Sequence, residues 1–484
     1  MTYAELVASK NYRQMPTGLT ADSFWIHPEA KPHQGAIIPW ALRKGRALIA
    51  AGCGLGKTLM ELNIAKSICD FFPECKVLIF APLAVSHQTA FEESPRWNIP
   101  CKFVVNQSEC DAPGIYITNY QKIEHFDMSQ FKAVLLDEAS ILKDFTGKFC
   151  QLLIDSCKCV PFRYCFSATP SPNDYTELGN YAEFLGICTR TEMLAEYFVH
   201  DGETTQEWRL KGHAEEVFWK WLCSWAVALN NPRDMGFDGT DYDLPELRIH
   251  EHIIECDEEV NLAPGVQQSL WSDLASTLTE QRVVKKATVD LRCEKARDIM
   301  VASGKGGVVW VETNEESEKI ADLLDGIIEI TGSMKDDVKQ SRLVEFIKKD
   351  TEKLDTKASI AGHGLNMQRY NLMVFVNLTH SAERMYQAFA RMWRFGQKMP
   401  VDVHLILSAG EIKILQNYKR KVKDMENMIK KMIEHMSIYH DASASKQSRV
   451  EYKPEKKIQI PSFLEKPCQP KRNAKRKQAE KIGI

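Results

Sequence analysis

The sequence predicts an α/β protein in which two parallel-sheet lobes are separated by a helical insertion and followed by a C-terminal helix and a basic tail. Three observations predict it. Short apolar strands alternate with amphipathic helices up to about residue 180, the pattern of βαβ units around a buried parallel sheet. The same alternation returns at about residue 296. Between the two lies a helix-rich, aromatic stretch. The expected divisions are 1–180 for the first lobe, 181–295 for the insertion, 296–410 for the second lobe, 411–440 for the helix and 441–484 for the tail. At roughly 150 residues per domain, a chain of 484 residues also suggests about three domains.

Residues 1–30 give no clear element. "HQGAIIPWALRKG" reads as a helix with Ile37, Ile38, Ala41 and Leu42 along one face. "RALIAAG" is a short strand running into a glycine-rich turn, and "KTLMELNIAKSICDFF" is an amphipathic helix. "KVLIFAP" is the next strand, followed by a helix over "AVSHQTAFEESPRW". "IYITNY", "AVLLDEAS" and "YCFSATPSP" complete the strands of the first lobe. In the insertion, "EEVFWKWLCSWAVAL" reads as one helix with Phe218, Trp221, Leu222 and Trp225 on a single face. That face is expected to be buried in a small subdomain, with a base-stacking wedge as the functional alternative. "NNPRDMGFDGTDYDLPE" is a turn-rich loop. In the second lobe "GGVVWVETN", "IIEITGS", "KASIAGHG", "LMVFVNL" and "VDVHLILS" are strands. "EESEKIADLLDGI", "DDVKQSRLVEFIKK" and "SAERMYQAFARMWRF" are its helices, and "EIKILQNYKRKVKDMENMIKKMIEHM" is a long charged helix after it.

Composition narrows the class. Hydrophobic residues at 44% and charged residues at 26% suit a globular chain with a sizeable core and exclude overall disorder. No apolar run approaches the roughly 20 residues that a membrane helix needs, and the N-terminus has no apolar signal region, so a cytoplasmic setting without membrane contact is expected. Fourteen cysteines are scattered without zinc spacing and read as reduced thiols. The net charge is −3, but it is unevenly spread. From Asp441 onward twelve Lys/Arg face five Asp/Glu, which leaves +7 there and −10 over the remainder. The tail serves either solubility or salt-sensitive contact with phosphates.

The chemistry concentrates in three places. Ala51, Gly52, Cys53, Gly54, Leu55, Gly56, Lys57 and Thr58 lie between a predicted strand and a predicted helix, the setting of a phosphate-binding loop. Glycines let backbone N–H groups curl around phosphates, and the helix N-terminus adds partial positive charge. Lys57 would reach the β- and γ-phosphates, and the Thr58 hydroxyl would bind Mg²⁺. Asp137 and Glu138 end the strand "AVLL". Asp137 would hold Mg²⁺ through water and Glu138 would activate the attacking water. Arg391 and Arg394, spaced i, i+3, share a helix face and could meet a γ-phosphate across a cleft.

Taken in order, these segments resemble superfamily 2 helicases over most of residues 30–410, and within them the Swi/Snf-like DNA translocases and the DEAD/DEAH-type helicases of bacteriophages. "AAGCGLGKT" is similar to motif I, "VLIFAPLAVSHQ" to motif Ia, "IYITNYQKI" to motif Ib, "LLDEAS" to motif II and "SATP" (Ser167, Ala168, Thr169, Pro170) to motif III. "VVWVETN" is similar to motif IV, and "AGHGLNMQ", with Gly362, Gly364, Leu365, Asn366 and Gln368, to motif V. "QAFARMWRFGQ", with Gln387, Arg391, Arg394 and Gln397, is similar to motif VI. The resemblance implies two RecA-like lobes with ATP between them, and ATP and Mg²⁺ as cofactors. It places Gln34 at the adenine-reading position and Gly364 and Gln387 at the nucleotide. The ending Arg-Phe-Gly-Gln and the reading DEAS depart from the RNA branch, so DNA is expected in preference to RNA, with replication or recombination proteins as possible partners. An RNA helicase, or a nucleotide-gated DNA-binding module, is the alternative.

Overall fold

The computed structural model describes residues 17–200, 208–254, 285–348, 352–361, 366–379, 381–408 and 411–444. The strands, in chain order, are β1 Arg46–Ala51, β2 Lys76–Ala81, β3 Lys102–Phe103, β4 Gly114–Asn119, β5 Ala133–Leu136, β6 Phe162–Ser167, β7 Phe198–His200, β8 Trp208–Leu210, β9 Ala226–Leu229, β10 Leu247–Ile254, β11 Gly307–Val311, β12 Ile328–Ile330, β13 Lys353–Lys357, β14 Leu372–Phe375 and β15 Val401–Ser408. They build a seven-stranded sheet ordered β3-β4-β2-β5-β6-β1-β9 and a six-stranded sheet ordered β10-β15-β14-β11-β13-β12. Every pairing in both is parallel. The protein is therefore α/β with two RecA-like lobes.

Both faces of each sheet are covered, which is why the strands read as apolar runs without alternation. In the first sheet Leu48, Leu78, Phe80, Val134 and Leu136 point into one core, while Ile49, Val77, Ile79, Leu135 and Phe166 point into the other. In the second sheet Val308, Trp310, Met373 and Val403 oppose Val309, Val311, Val374 and Ile406 in the same way. No helix among the described residues is long and apolar enough to cross a membrane.

Sequence and structure part in three places. The segment expected to be a helical insertion instead gives one strand to each sheet. The helix over the tryptophan-rich stretch stops at Cys223, and "AVAL" becomes β9, hydrogen-bonded alongside β1. The helical period misled because Trp225, in the turn after the helix, is buried in the same core as Phe218 and Leu222. A fully buried apolar run is equally suited to a central helix or a sheet-edge strand, and packing beside β1 decides it. β10 likewise pairs with β15, so the boundary at 295 divides no structural body.

Second, the strand expected over "KASIAGHG" is shifted. β13 is "KLDTK", whose Leu354, Asp355 and Thr356 are buried, and Ala358–Ala361 is a helical turn. Its charges hid it from a hydrophobicity reading. Third, the helix after β2 is three helical pieces in succession, Leu83–Gln88, a π-turn Thr89–Glu93 and Ser94–Arg96. Pro95 lacks the N–H that would close an α-turn, and the wider turn accommodates it.

The C-terminal helix runs Ile412–Ala444, past the expected end at 440. Ile414, Leu415 and Tyr418 pack into the second-lobe core, whereas Met425, Met428, Ile429 and Met432 pack into the first-lobe core. One rigid element thus spans both lobes. Of the basic tail expected over 441–484, the first four residues belong to this helix and residues 445–484 lie outside the described residues, as do Gly362, Gly364 and Leu365 of the motif V segment.

Candidate active site

The phosphate loop leaves the C-terminal end of β1, and its glycines are dictated by geometry. Gly54 and Gly56 have φ of +88° and +75°, which a side chain rarely adopts. A Cβ on Gly56 would collide with the Gln34 carboxamide, and one on Gly54 would lie 2.8 Å from Phe395 Cβ in the other lobe. Lys57 opens the following helix, Lys57–Phe71, and its Nζ donates to Ala51 O at 2.9 Å and Gly52 O at 3.4 Å. Thr58 follows it in the first helical turn.

Gln34 is buried in the first turn of the helix Pro32–Lys44. Its Oε1 accepts from Lys31 N at 2.8 Å and its Nε2 donates to Leu55 O at 3.0 Å. His33 Nε2 lies 3.2 Å from the same carbonyl. Burial lowers the His33 pKa, so the ring is neutral and donates there as its Nε2–H tautomer. His33 in turn meets Tyr242 edge-on at 5.5 Å, and Tyr242 lies against Phe395 at 4.6 Å between ring centroids. Tyr242 comes from the loop that the sequence offered only as turn-rich.

Asp137 and Glu138 follow β5 at its C-terminal end. Asp137 N donates to Phe80 O at 2.8 Å and Tyr120 Oη donates to Asp137 O at 2.6 Å, which fixes the backbone here. Glu138 is held at φ +52°, an uncommon conformation for a residue with a side chain and one that gathers at functional sites. Burial pushes its carboxyl up to about 7; Lys57 and Arg391 oppose this, while Glu383 and Asp137 add to it. Asp137 is raised by burial, opposed by Lys57.

A third carboxyl was not anticipated. Glu61, on the helix after the phosphate loop, is 1% exposed and lies against Asp137. Burial, then Asp137, holds it well above the usual carboxylate range, so it keeps its proton. No donor from another residue reaches either of its oxygens. Its helical position between Met60 and Leu62 gives no signal of this in sequence; only the crossing of that helix over β5 does.

The second lobe supplies the opposite wall. The helix Ala382–Met392 is N-capped by Ser381, which accepts from Arg384 N, and carries Gln387 and Arg391. Arg394 follows in the turn after it. Burial lowers Arg391 to about 10, and the Cys53 thiol and Glu138 carboxyl are close enough to act on its charge. Arg394 is also lowered by burial, with Cys53 and then Glu93 opposing, and its Nε is buried without a partner. Arg391 Nε donates to Gln387 O at 3.2 Å, one turn back along its own helix. Gln387 points back along its own helix, 3.4 Å from Glu383 Oε1. Gln397 donates to Tyr370 O at 2.8 Å and braces the turn. Thr169 is buried with its hydroxyl unpartnered.

The residues present fit Mg²⁺. Asp137, Glu138 and Glu61 are desolvated around a single ammonium, and such a cation is held by one or two carboxylates together with phosphate oxygens and waters. Thr58 and Asp137 are the groups that would hold it.

A two-lobed α/β fold with a phosphate loop on one lobe and buried arginines on the other is that of a nucleotide-driven motor. Two family models match: the DEAD/DEAH box helicase domain over residues 31–178 and the helicase conserved C-terminal domain over residues 292–396. Together they span more than half of the chain, which belongs to the superfamily 2 helicases and is a nucleic-acid-dependent ATPase. No curated protein matches the sequence significantly. Among solved structures, the chain is similar to the Sulfolobus solfataricus SWI2/SNF2 ATPase core in complex with dsDNA, with 16% identity, 84% of this chain and 94% of that one covered, and a TM-score of 0.41. It is also similar to the ATP-dependent type ISP restriction-modification enzyme LlaBIII bound to DNA, with 13% identity, 82% and 30% covered, and a TM-score of 0.50.

Proposed function

We propose that this helicase is a DNA-stimulated ATPase that moves along DNA by opening and closing its two lobes around ATP. The reading is supported by one observation: the second-lobe turn that follows Arg391 and carries Arg394 is seated on the phosphate loop, where a Cβ on Gly54 would stand 2.8 Å from Phe395 Cβ. In this account Lys57 binds the β- and γ-phosphates, Gln34 reads the base from behind the loop, and Glu138 takes the proton of the attacking water. Arg391 and Arg394 stabilise charge that grows on the γ-phosphoryl group, a contribution of roughly 10³–10⁵ in rate for such a group. Thr58 and Asp137 would hold Mg²⁺, which would neutralise charge on the phosphates. Nucleotide touches both lobes only when they are closed, so binding favours closure and hydrolysis releases it. Loops at the C-terminal ends of the strands would grip the DNA backbone, which positions without reading sequence.

DNA is preferred over RNA because motif VI ends Arg-Phe-Gly-Gln and motif II reads DEAS. The motif resemblance carries with it a phage-encoded origin, a cytoplasmic setting and work beside replication or recombination proteins. Steady-state ATP hydrolysis with single-stranded DNA, duplex DNA and RNA tests the proposal. Stimulation by either DNA form is expected. Stimulation by RNA alone selects an RNA helicase, and nucleotide-dependent DNA binding with negligible turnover selects a gated clamp.

A further inference from the structure

One ion pair joins the two lobes beside the site, and none of the motif roles above uses it. Lys143 closes the short helical turn Ala139–Lys143 that starts immediately after Glu138. Glu383 sits in the first turn of the helix that carries Arg391. The Lys143 ammonium is bonded to Glu383 Oε2. Glu383 is 6% exposed and accepts a second bond, from Gln387, on its other oxygen.

The surroundings hold each partner in place. Asn180 Nδ2 donates to Leu142 O at 2.6 Å and to Lys143 O at 3.2 Å, which ties the turn to the helix Leu178–Leu185. On the second-lobe side, Ala382, Glu383 and Tyr386 line a small cavity with Pro172, Lys421 and Met425, so the start of the arginine helix is packed against the first lobe and the C-terminal helix. Lys421 of that helix donates to Asn173 Oδ1 at 2.8 Å, which ties the C-terminal helix to the first lobe nearby.

We infer that Lys143 and Glu383 form a latch, a pair of positioning residues that sets the alignment of Arg391 against Glu138. The inference rests on the ATPase reading above. The two partners stand at the near ends of the two elements whose far ends carry the chemistry. Lys143 stands five residues of 3₁₀ turn past Glu138, and about two helical turns separate Glu383 from Arg391. A carboxylate buried as deeply as Glu383 is costly without a cation, and its cation comes from the opposite lobe. Opening the lobes breaks the pair, so the pair favours the closed arrangement. Because its carboxylate is buried, the latch is screened less by salt than the lobes' fully exposed charges.

The experiment uses the full chain and four variants: Lys143→Gln, Glu383→Gln, Lys143→Arg and the charge-reversed double Lys143→Glu/Glu383→Lys. ATP hydrolysis with duplex DNA is measured alongside the radius of gyration by small-angle scattering without nucleotide. Each Gln variant is expected to lose roughly tenfold in kcat with KM for ATP within about twofold, and to scatter as a more open particle. Lys143→Arg keeps the charge and stays near wild type. The reversed pair recovers most of the loss, because coupled residues are not additive. Wild-type kcat and scattering in the Gln variants overturn the latch. So does a reversed pair whose loss equals the product of the two single losses. A chain without hydrolysis on any nucleic acid sinks the ATPase reading instead, and the scattering measurements still decide the latch.

Discussion

The two walls of the cleft are built from opposite charges. The first lobe gathers Glu61, Asp137 and Glu138 around one lysine, and burial raises the pKa of all three carboxyls. The second lobe offers Arg391 and Arg394, and burial lowers both. Each wall is thus incomplete by itself: one is short of positive charge, the other carries positive charge taken out of water. Closure brings the deficits together, and a polyanionic nucleotide with its cation completes the balance. Under the proposed function, that difference assigns binding to the first lobe and completion of the reaction to the second.

Exchanging single residues between these roles sharpens the comparison. Lys57→Ala removes the ammonium that opposes the buried carboxylates of Asp137 and Glu138 and binds the phosphates, and turnover is expected to fall by at least roughly 10³-fold with nucleotide affinity lost as well. Arg391→Ala is expected to cost roughly 10³-fold in kcat while leaving nucleotide binding to the first lobe within a few fold. Equal loss of binding in both variants, read by equilibrium titration with a fluorescent nucleotide, would erase the division of labour.

Glu138→Gln removes the base, with an expected loss of about 10²–10⁴-fold in kcat. The sign of the pH dependence follows from the raised pKa. A base works deprotonated, so wild-type activity should rise with pH through about 7, and the residual activity of the variant should lack that acidic limb. An unchanged limb in the variant would assign it to another group.

A buried carboxyl away from the cleft gives the contrast in stability. Asp355 on β13 is fully buried beside Ser317, with Oδ1 unpartnered, and burial pushes it up to about 7, with Glu329 and Glu316 adding. Its folded-state pKa lies above the unfolded value, so stability is full below about 4 and is lost as pH rises through about 7. Asp355→Asn is therefore expected to stabilise by on the order of 2 kcal/mol at pH 8, and the gain should close toward pH 4 in urea melts. The smallest effect is expected at the sheet edge. Val227→Ala in β9 should cost about 1 kcal/mol, because the strand is part of the first sheet. No cost would mean that β9 is a detachable insertion.

The alternating strands and helices, the glycine loop and the acidic strand end were legible because each is a local pattern with a local cause. Gly54 and Gly56 announce positive φ, and Asp137 and Glu138 announce a strand end facing a ligand. Misreadings arose where burial overruled local pattern. "AVAL" shares its composition with a helix and became a strand beside β1. "KLDTK" carries charges at its ends and still lies in a sheet, because Lys353 and Lys357 reach out from it while Leu354, Asp355 and Thr356 are covered. Glu61, Tyr242, Lys143 and Glu383 had no pattern at all, since each matters through a residue tens or hundreds of positions away.

By itself the sequence determined the α/β class, the order of the motif segments and the residue types that can handle a triphosphate, because these depend on periodicity and on short-range backbone geometry. Tertiary structure alone decided that the middle of the chain feeds both sheets, that one helix spans both lobes, and that Glu383 meets Lys143 across them. Those outcomes depend on which surfaces exclude water from one another, and that is a property of the folded whole rather than of any segment.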